Sequence, residues 1–116
     1  MKQPLKILVV DDSRVIRQSI RKELEPGGYE VSEAKNGLEA LTRLAGSSPP
    51  DLVTLDIEMP KLNGFDTCRK LRTDRYTRFF THCSGNRMPV IFVTGNDTMK
   101  DRKRGFQLGA VDFITK

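Results

Sequence analysis

The chain has 116 residues, 37% hydrophobic and 30% charged, which is one domain's worth of sequence and too apolar for a disordered one. Its formal net charge is +5, and six basic residues against Asp74 between Arg69 and Arg87 carry all of that excess, so the chain is not a uniformly basic nucleic-acid binder and no direct nucleic-acid binding is expected. The apolar run Ile7 to Val10 is four residues long and none is longer, far below the roughly 20 that span a bilayer; Asp11 and Asp12 end it too soon for a signal peptide, and the two cysteines, Cys68 and Cys83, make no disulfide framework, so a cytoplasmic protein with free thiols and no membrane contact is expected.

Leu5 to Val10 is nearly continuous in apolar, β-branched residues and reads as a strand buried on both faces. Asp12 or Ser13 offers a helix cap. Ile16, Ile20 and Leu24 then recur every four residues, the stripe of an amphipathic helix, which Pro26-Gly27-Gly28 ends. Tyr29 to Ala34 predicts a second strand. Asn36-Gly37 is a turn signal, but Leu38, Leu41 and Leu44 follow at helical spacing, so no hairpin forms there. Gly46 to Pro50 is a loop by composition. Leu52 to Leu55 is a third strand ending at Asp56, and Glu58 to Gly64 is rich in turn formers. Phe65, Cys68 and Leu71 mark one face of a third helix. Pro89 to Val93 is a fourth strand, with Pro89 in the tolerated first position. After Thr94-Gly95-Asn96, a polar helix runs to Leu108 and stops at Gly109. Val111 to Ile114 is a fifth strand. Strict alternation of strand and helix predicts an α/β fold, a parallel sheet with helices on both faces.

In such a sheet, ligands bind at the carboxyl ends of the strands. Those ends bring Asp11 and Asp12, Asp56, Thr94, and Thr115 with Lys116. A cap explains Asp12 alone, but not Asp11, Asp56 and Lys116 together. Three carboxylates held close repel one another, and one stays protonated unless a cation compensates. A hard divalent ion, Mg²⁺, suits few carboxylates and keeps sites for water or phosphate oxygen. A carboxylate can be a nucleophile that forms an acyl phosphate. Phosphoryl transfer then needs mainly positioning and charge neutralisation, which the metal, Lys116 and the Thr94 hydroxyl would supply.

The runs Ile7-Leu8-Val9-Val10-Asp11-Asp12-Ser13, Asp56-Ile57-Glu58-Met59-Pro60, Asn63-Gly64, Thr94-Gly95 and Gly109-Ala110 through Phe113 to Lys116 resemble, in order and spacing, the receiver domain of bacterial two-component response regulators, across essentially the whole chain. The resemblance implies a flavodoxin-like, doubly wound five-stranded parallel sheet of order 2-1-3-4-5. It implies that Asp56 is the phosphoacceptor, with Mg²⁺ held by Asp12 and Asp56 directly, by Asp11 through water and by the backbone carbonyl of Glu58. Thr94 matches the switch hydroxyl, Phe113 the aromatic that turns inward with it, and Lys116 the lysine of the site. The implied partners are a histidine kinase or phosphotransfer protein and a C-terminal output domain, with room for a homodimer. The domain would assist only its own phosphorylation and dephosphorylation. An aspartyl-phosphate phosphohydrolase and an unphosphorylated interaction module are the alternative readings; the first lacks a cap domain here, and the second leaves the acidic set unexplained.

Two departures from the family pattern stand out. Residues 73–86 form an insertion between the third helix and the fourth strand; its Tyr76, Phe79 and Phe80 suggest an irregular helix, and His82 with Cys83 falls short of a tetrahedral metal site. The final helix of the fold has no counterpart, so a truncated receiver over 1–116, whose natural chain continues, is expected.

Overall fold

The computed structural model describes residues 4–45, 49–59, 62–71, 89–95 and 98–116. The expected insertion at 73–86, with most of the basic segment, lies outside them, as do Pro60, Lys61, Asn96 and Asp97.

Five strands form one parallel sheet: β1 (Lys6–Val10), β2 (Glu30–Ala34), β3 (Leu52–Asp56), β4 (Val90–Thr94) and β5 (Asp112–Thr115), in the order β2-β1-β3-β4-β5. Between them run α1 (Arg14–Leu24), α2 (Gly37–Leu44), α3 (Gly64–Leu71) and α4 (Met99–Gln107). The expected flavodoxin-like order holds. The fifth strand begins at Asp112 rather than Val111, whose side chain is exposed.

Side chains alternate across each strand, and the two faces differ. Leu8, Val10, Val53, Leu55, Val90, Phe92 and Phe113 pack with Leu41 and Leu44 of α2 and with Phe65, Cys68 and Leu71 of α3 in the main core. Phe92 is its hub, edge-on to Phe65 at 5.2 Å between centroids and tilted against Phe113 at 6.2 Å. On the other face, α1 covers β1 and β2, but none of its residues is fully buried. Beside it lies an open apolar groove of about 510 Å³, lined by Ile20, Leu24, Leu52, Ile91, Val93 and Ile114 among others. The stripe Ile16, Ile20 and Leu24 is therefore only half-buried.

Local chemistry sets the helix starts. Ser13, not Asp12, caps α1, its hydroxyl accepting from the Ile16 N–H. Asn36 caps α2 by accepting from the Glu39 N–H at 2.8 Å, so the Asn-Gly pair opens a helix rather than a hairpin. Thr98 caps α4 by accepting from Asp101 N–H. Each cap satisfies an amide that the first turn leaves without a helical partner.

Register aligns the carboxyl ends. Val10 stands opposite Leu55, Asp56 opposite Val93, and Thr94 opposite Thr115. The ladder runs on one step past the strands: Ile57 N–H donates to Val93 O, and Lys116 N–H to Thr94 O at 2.7 Å. That extension fixes the backbone on which the site is built.

Candidate functional site

Asp56 and Thr94 are the last residues of β3 and β4, and Asp11 and Lys116 follow directly on β1 and β5, so four strand ends bring polar side chains to one edge of the sheet. Asp11 Oδ1 accepts the Ser13 N–H at 2.9 Å, which closes a tight turn and fixes the carboxylate. Arg17, one turn into α1, donates to the Asp11 carbonyl at 2.7 Å and to Glu33 Oε1 at 2.9 Å. After β3, Gly64 N–H donates to Ile57 O at 2.9 Å, and a Cβ at Gly64 would collide with the Asp56 carbonyl. Only glycine lets the start of α3 lie this close beneath the acidic turn.

Asp11, Asp12 and Asp56 each offer a carboxylate oxygen, all within 4.8 Å of one another. Asp11 and Asp56 are buried; Asp12 is exposed. Lys116 enters from β5, its Nζ 2.9 Å from Asp11 Oδ2 and 3.2 Å from Asp56 Oδ1. Asp56 Oδ1 also accepts the Glu58 N–H at 3.3 Å.

Burial, and then the Asp11 charge, push the Asp56 carboxyl up to about 6, against the hydrogen bond and charge of Lys116 and the Glu58 amide. Burial alone would lower Lys116, but its bonds and charges to Asp11 and Asp56 together hold it above its ordinary value. One ammonium thus leaves the carboxylate set under-compensated. All donors in it are oxygens, one of them exposed, which is the chemistry a small hard divalent cation accepts. The residues fit such an ion.

Thr94, at the end of β4, is fully buried, and its hydroxyl donates to Glu58 Oε1 at 3.2 Å. The Phe113 ring is buried and already turned inward, against Phe92, with the Arg102 guanidinium 5.2 Å from its centroid. Asp11, Asp12, Asp56 and Lys116 therefore meet as the sequence reading places them. Glu58 and Thr94 meet each other through a side chain to which that reading gave no role. Arg17 was missed as well; its place one turn past the Ser13 cap, over the end of β1, was the available signal.

The sequence matches the family model "Response regulator receiver domain" over residues 7–116. It is 40% identical over 113 residues to the response regulator MprA of Mycolicibacterium vanbaalenii, covering 97% of this chain and 44% of that protein. The chain thus spans under half the length of that relative. Among solved structures, it resembles the chemotaxis protein CheY4 of Vibrio cholerae, with a TM-score of 0.81, 30% identity and coverage of 97% of this chain and 87% of that one. It also resembles the receiver domain of the Francisella response regulator 1452, with a TM-score of 0.80, 29% identity and coverage of 97% and 84%. A match across nearly the whole chain, on a sheet whose ends gather this acidic set, makes the chain a member of the response regulator receiver domain family.

Proposed function

We propose that this receiver domain takes a phosphoryl group on Asp56 from a phosphohistidine of a histidine kinase or phosphotransfer protein. The N–P bond of the donor breaks as a bond from an Asp56 carboxylate oxygen to phosphorus forms; water later releases inorganic phosphate and restores the carboxylate. Asp11, Asp12, Asp56 and the Glu58 carbonyl would hold Mg²⁺, which supplies positive charge to the phosphoryl oxygens. Lys116 neutralises further charge from the β5 side. The Thr94 hydroxyl donates to a phosphoryl oxygen, and Phe113 follows the movement of β4. The domain does this chemistry on itself alone and passes its state to an output domain or partner, in the cytoplasm, with a homodimer as one form of that output.

The observation that carries this reading is the juxtaposition of Asp11, Asp12 and Asp56 within 4.8 Å, with Lys116 bridging Asp11 and Asp56. Incubation with phosphoramidate and Mg²⁺ tests it. The wild type should gain one acid-labile phosphoryl group, and Asp56→Asn none, because an amide is a poor nucleophile. Full labelling of Asp56→Asn would move the acceptor elsewhere.

A further inference from the structure

Glu58 follows Asp56 by two residues, and its backbone N–H is bonded to Asp56 Oδ1. Its own carboxylate does not join the cluster of Asp11, Asp12 and Asp56 among the described residues. It turns instead toward β4, where Oε1 accepts the Thr94 hydroxyl at 3.2 Å. Thr94 is fully buried, whereas Glu58 is exposed. An exposed carboxylate thus holds the proton of a buried hydroxyl at the strand end.

We propose that the Glu58 side chain is a latch on Thr94, a positioning residue that holds the hydroxyl away from Asp56 until a phosphoryl group arrives. This rests on the reading of Asp56 as phosphoacceptor. A threonine hydroxyl has one proton and donates it to one acceptor at a time. While Glu58 Oε1 takes it, a phosphoryl oxygen on Asp56 cannot. An ionised carboxylate is a strong acceptor, so the phosphoryl group must outcompete it. The phosphoryl group also adds negative charge beside Glu58 and repels it. One event therefore both weakens the old bond of Thr94 and offers a new one. The switch is biased by the difference between the two acceptors, since a ligand shifts a two-state equilibrium only by its differential affinity.

Beryllofluoride, which bonds to a carboxylate as a phosphoryl mimic, tests the latch at saturating Mg²⁺. Its affinity would be measured by amide NMR titration on the wild type, Glu58→Ala, Thr94→Ala and the double variant. Glu58→Ala should bind it about five- to tenfold tighter, the scale of one released hydrogen bond. The gain should shrink to the relief of charge repulsion alone when Thr94 is already Ala, and return in full when Thr94→Ser restores a hydroxyl. Glu58→Met, which keeps the side-chain length but offers no oxygen to accept the hydroxyl, serves the same cycle should Glu58→Ala fold poorly. A gain that persists undiminished without the Thr94 hydroxyl would show that Glu58 acts by its charge alone, and no gain in the presence of that hydroxyl would show no latch; either overturns the proposal. Failure of every variant, wild type included, to bind beryllofluoride would overturn the phosphoacceptor reading and the latch with it.

Discussion

Lys116 Nζ lies 3.2 Å from Asp56 Oδ1 and closes the site from the edge strand β5. The same ammonium is 2.9 Å from Asp11 Oδ2, so one cation is shared between two buried carboxylates. Shared in this way, it does not fully offset their burial and mutual repulsion, and the Asp56 carboxyl remains pushed up to about 6. Strain of this kind at a functional centre is released by what the centre binds.

The first prediction follows from that imbalance. The folded Asp56 binds a proton more readily than the unfolded one, whose value is near 3.8. Stability therefore falls as pH rises through the window from about 4 to about 6, and stays lowered above it. Asp56→Asn removes the buried charge. Without Mg²⁺, it should melt above the wild type at pH 7.5, with the gap shrinking as pH falls toward 4. Melting curves across that range check it; a gap that does not change with pH would show that burial of Asp56 costs the fold nothing.

Mg²⁺ should reverse the penalty. A cation that binds the folded state alone stabilises it by mass action, about 1.4 kcal/mol at ten times its dissociation constant, or several degrees of melting temperature in a domain of this size. Asp12→Ala should abolish the shift seen with millimolar Mg²⁺. Glu58→Gln should keep it, because the Glu58 carboxylate is engaged with Thr94 at 3.2 Å. Loss of the shift in Glu58→Gln would place that carboxylate on the metal.

Lys116 should act with opposite sign on the two ligands. Replacing it by Met removes the ammonium from between Asp11 and Asp56 and leaves their charge bare. At pH 8, Lys116→Met should bind Mg²⁺ more tightly than the wild type, and should accept phosphoryl from phosphoramidate more slowly, because the transferred group loses a cation. Calorimetry with Mg²⁺ and the labelling rate read the two effects separately. Equal weakening of both would point to a general loss of the site's shape.

Much of this architecture was legible in the sequence because its parts are local. The four-residue apolar runs before Asp11 and Thr94, and the largely apolar one before Asp56, announce buried parallel strands whose carboxyl ends bear polar residues, and parallel register then assembles Asp11, Asp56, Thr94 and Lys116. What stayed hidden depends on partners distant in sequence. The Glu58 side chain finds Thr94 36 residues away, and no spacing rule sets that rotamer. Nothing in its spacing sets Arg17 apart from the other basic residues of α1, yet it spans Asp11 O and Glu33. Val111 is apolar and adjoins the fifth strand, but the residue is 60% exposed and the strand starts after it.

Gly105 is the last such case. It lies inside α4, where glycine costs about 1 kcal/mol relative to alanine, so its presence needs a reason from packing. A Cβ there would sit 2.9 Å from Phe92 Cδ2 and 3.3 Å from Phe113 Cδ2. Its absence lets α4 settle onto the two rings that link the core to β5. Arg102 and Arg104, just before it in the helix, lie over Phe113 and Phe65, at 5.2 and 4.5 Å from the ring centroids. Phe92 is fully buried and held edge-on by Phe65, so it has little room to yield. Overpacking of this kind costs about 1–3 kcal/mol, which outweighs the gain in helix propensity. Gly105→Ala should therefore destabilise the domain by about 1 kcal/mol net in urea unfolding. Combining it with Phe92→Leu, which trims the obstructing ring, should cost less than the sum of the two single changes. If Gly105→Ala proves as stable as the wild type, α4 can lift without loss, and close packing on Phe92 and Phe113 is not what holds it in place.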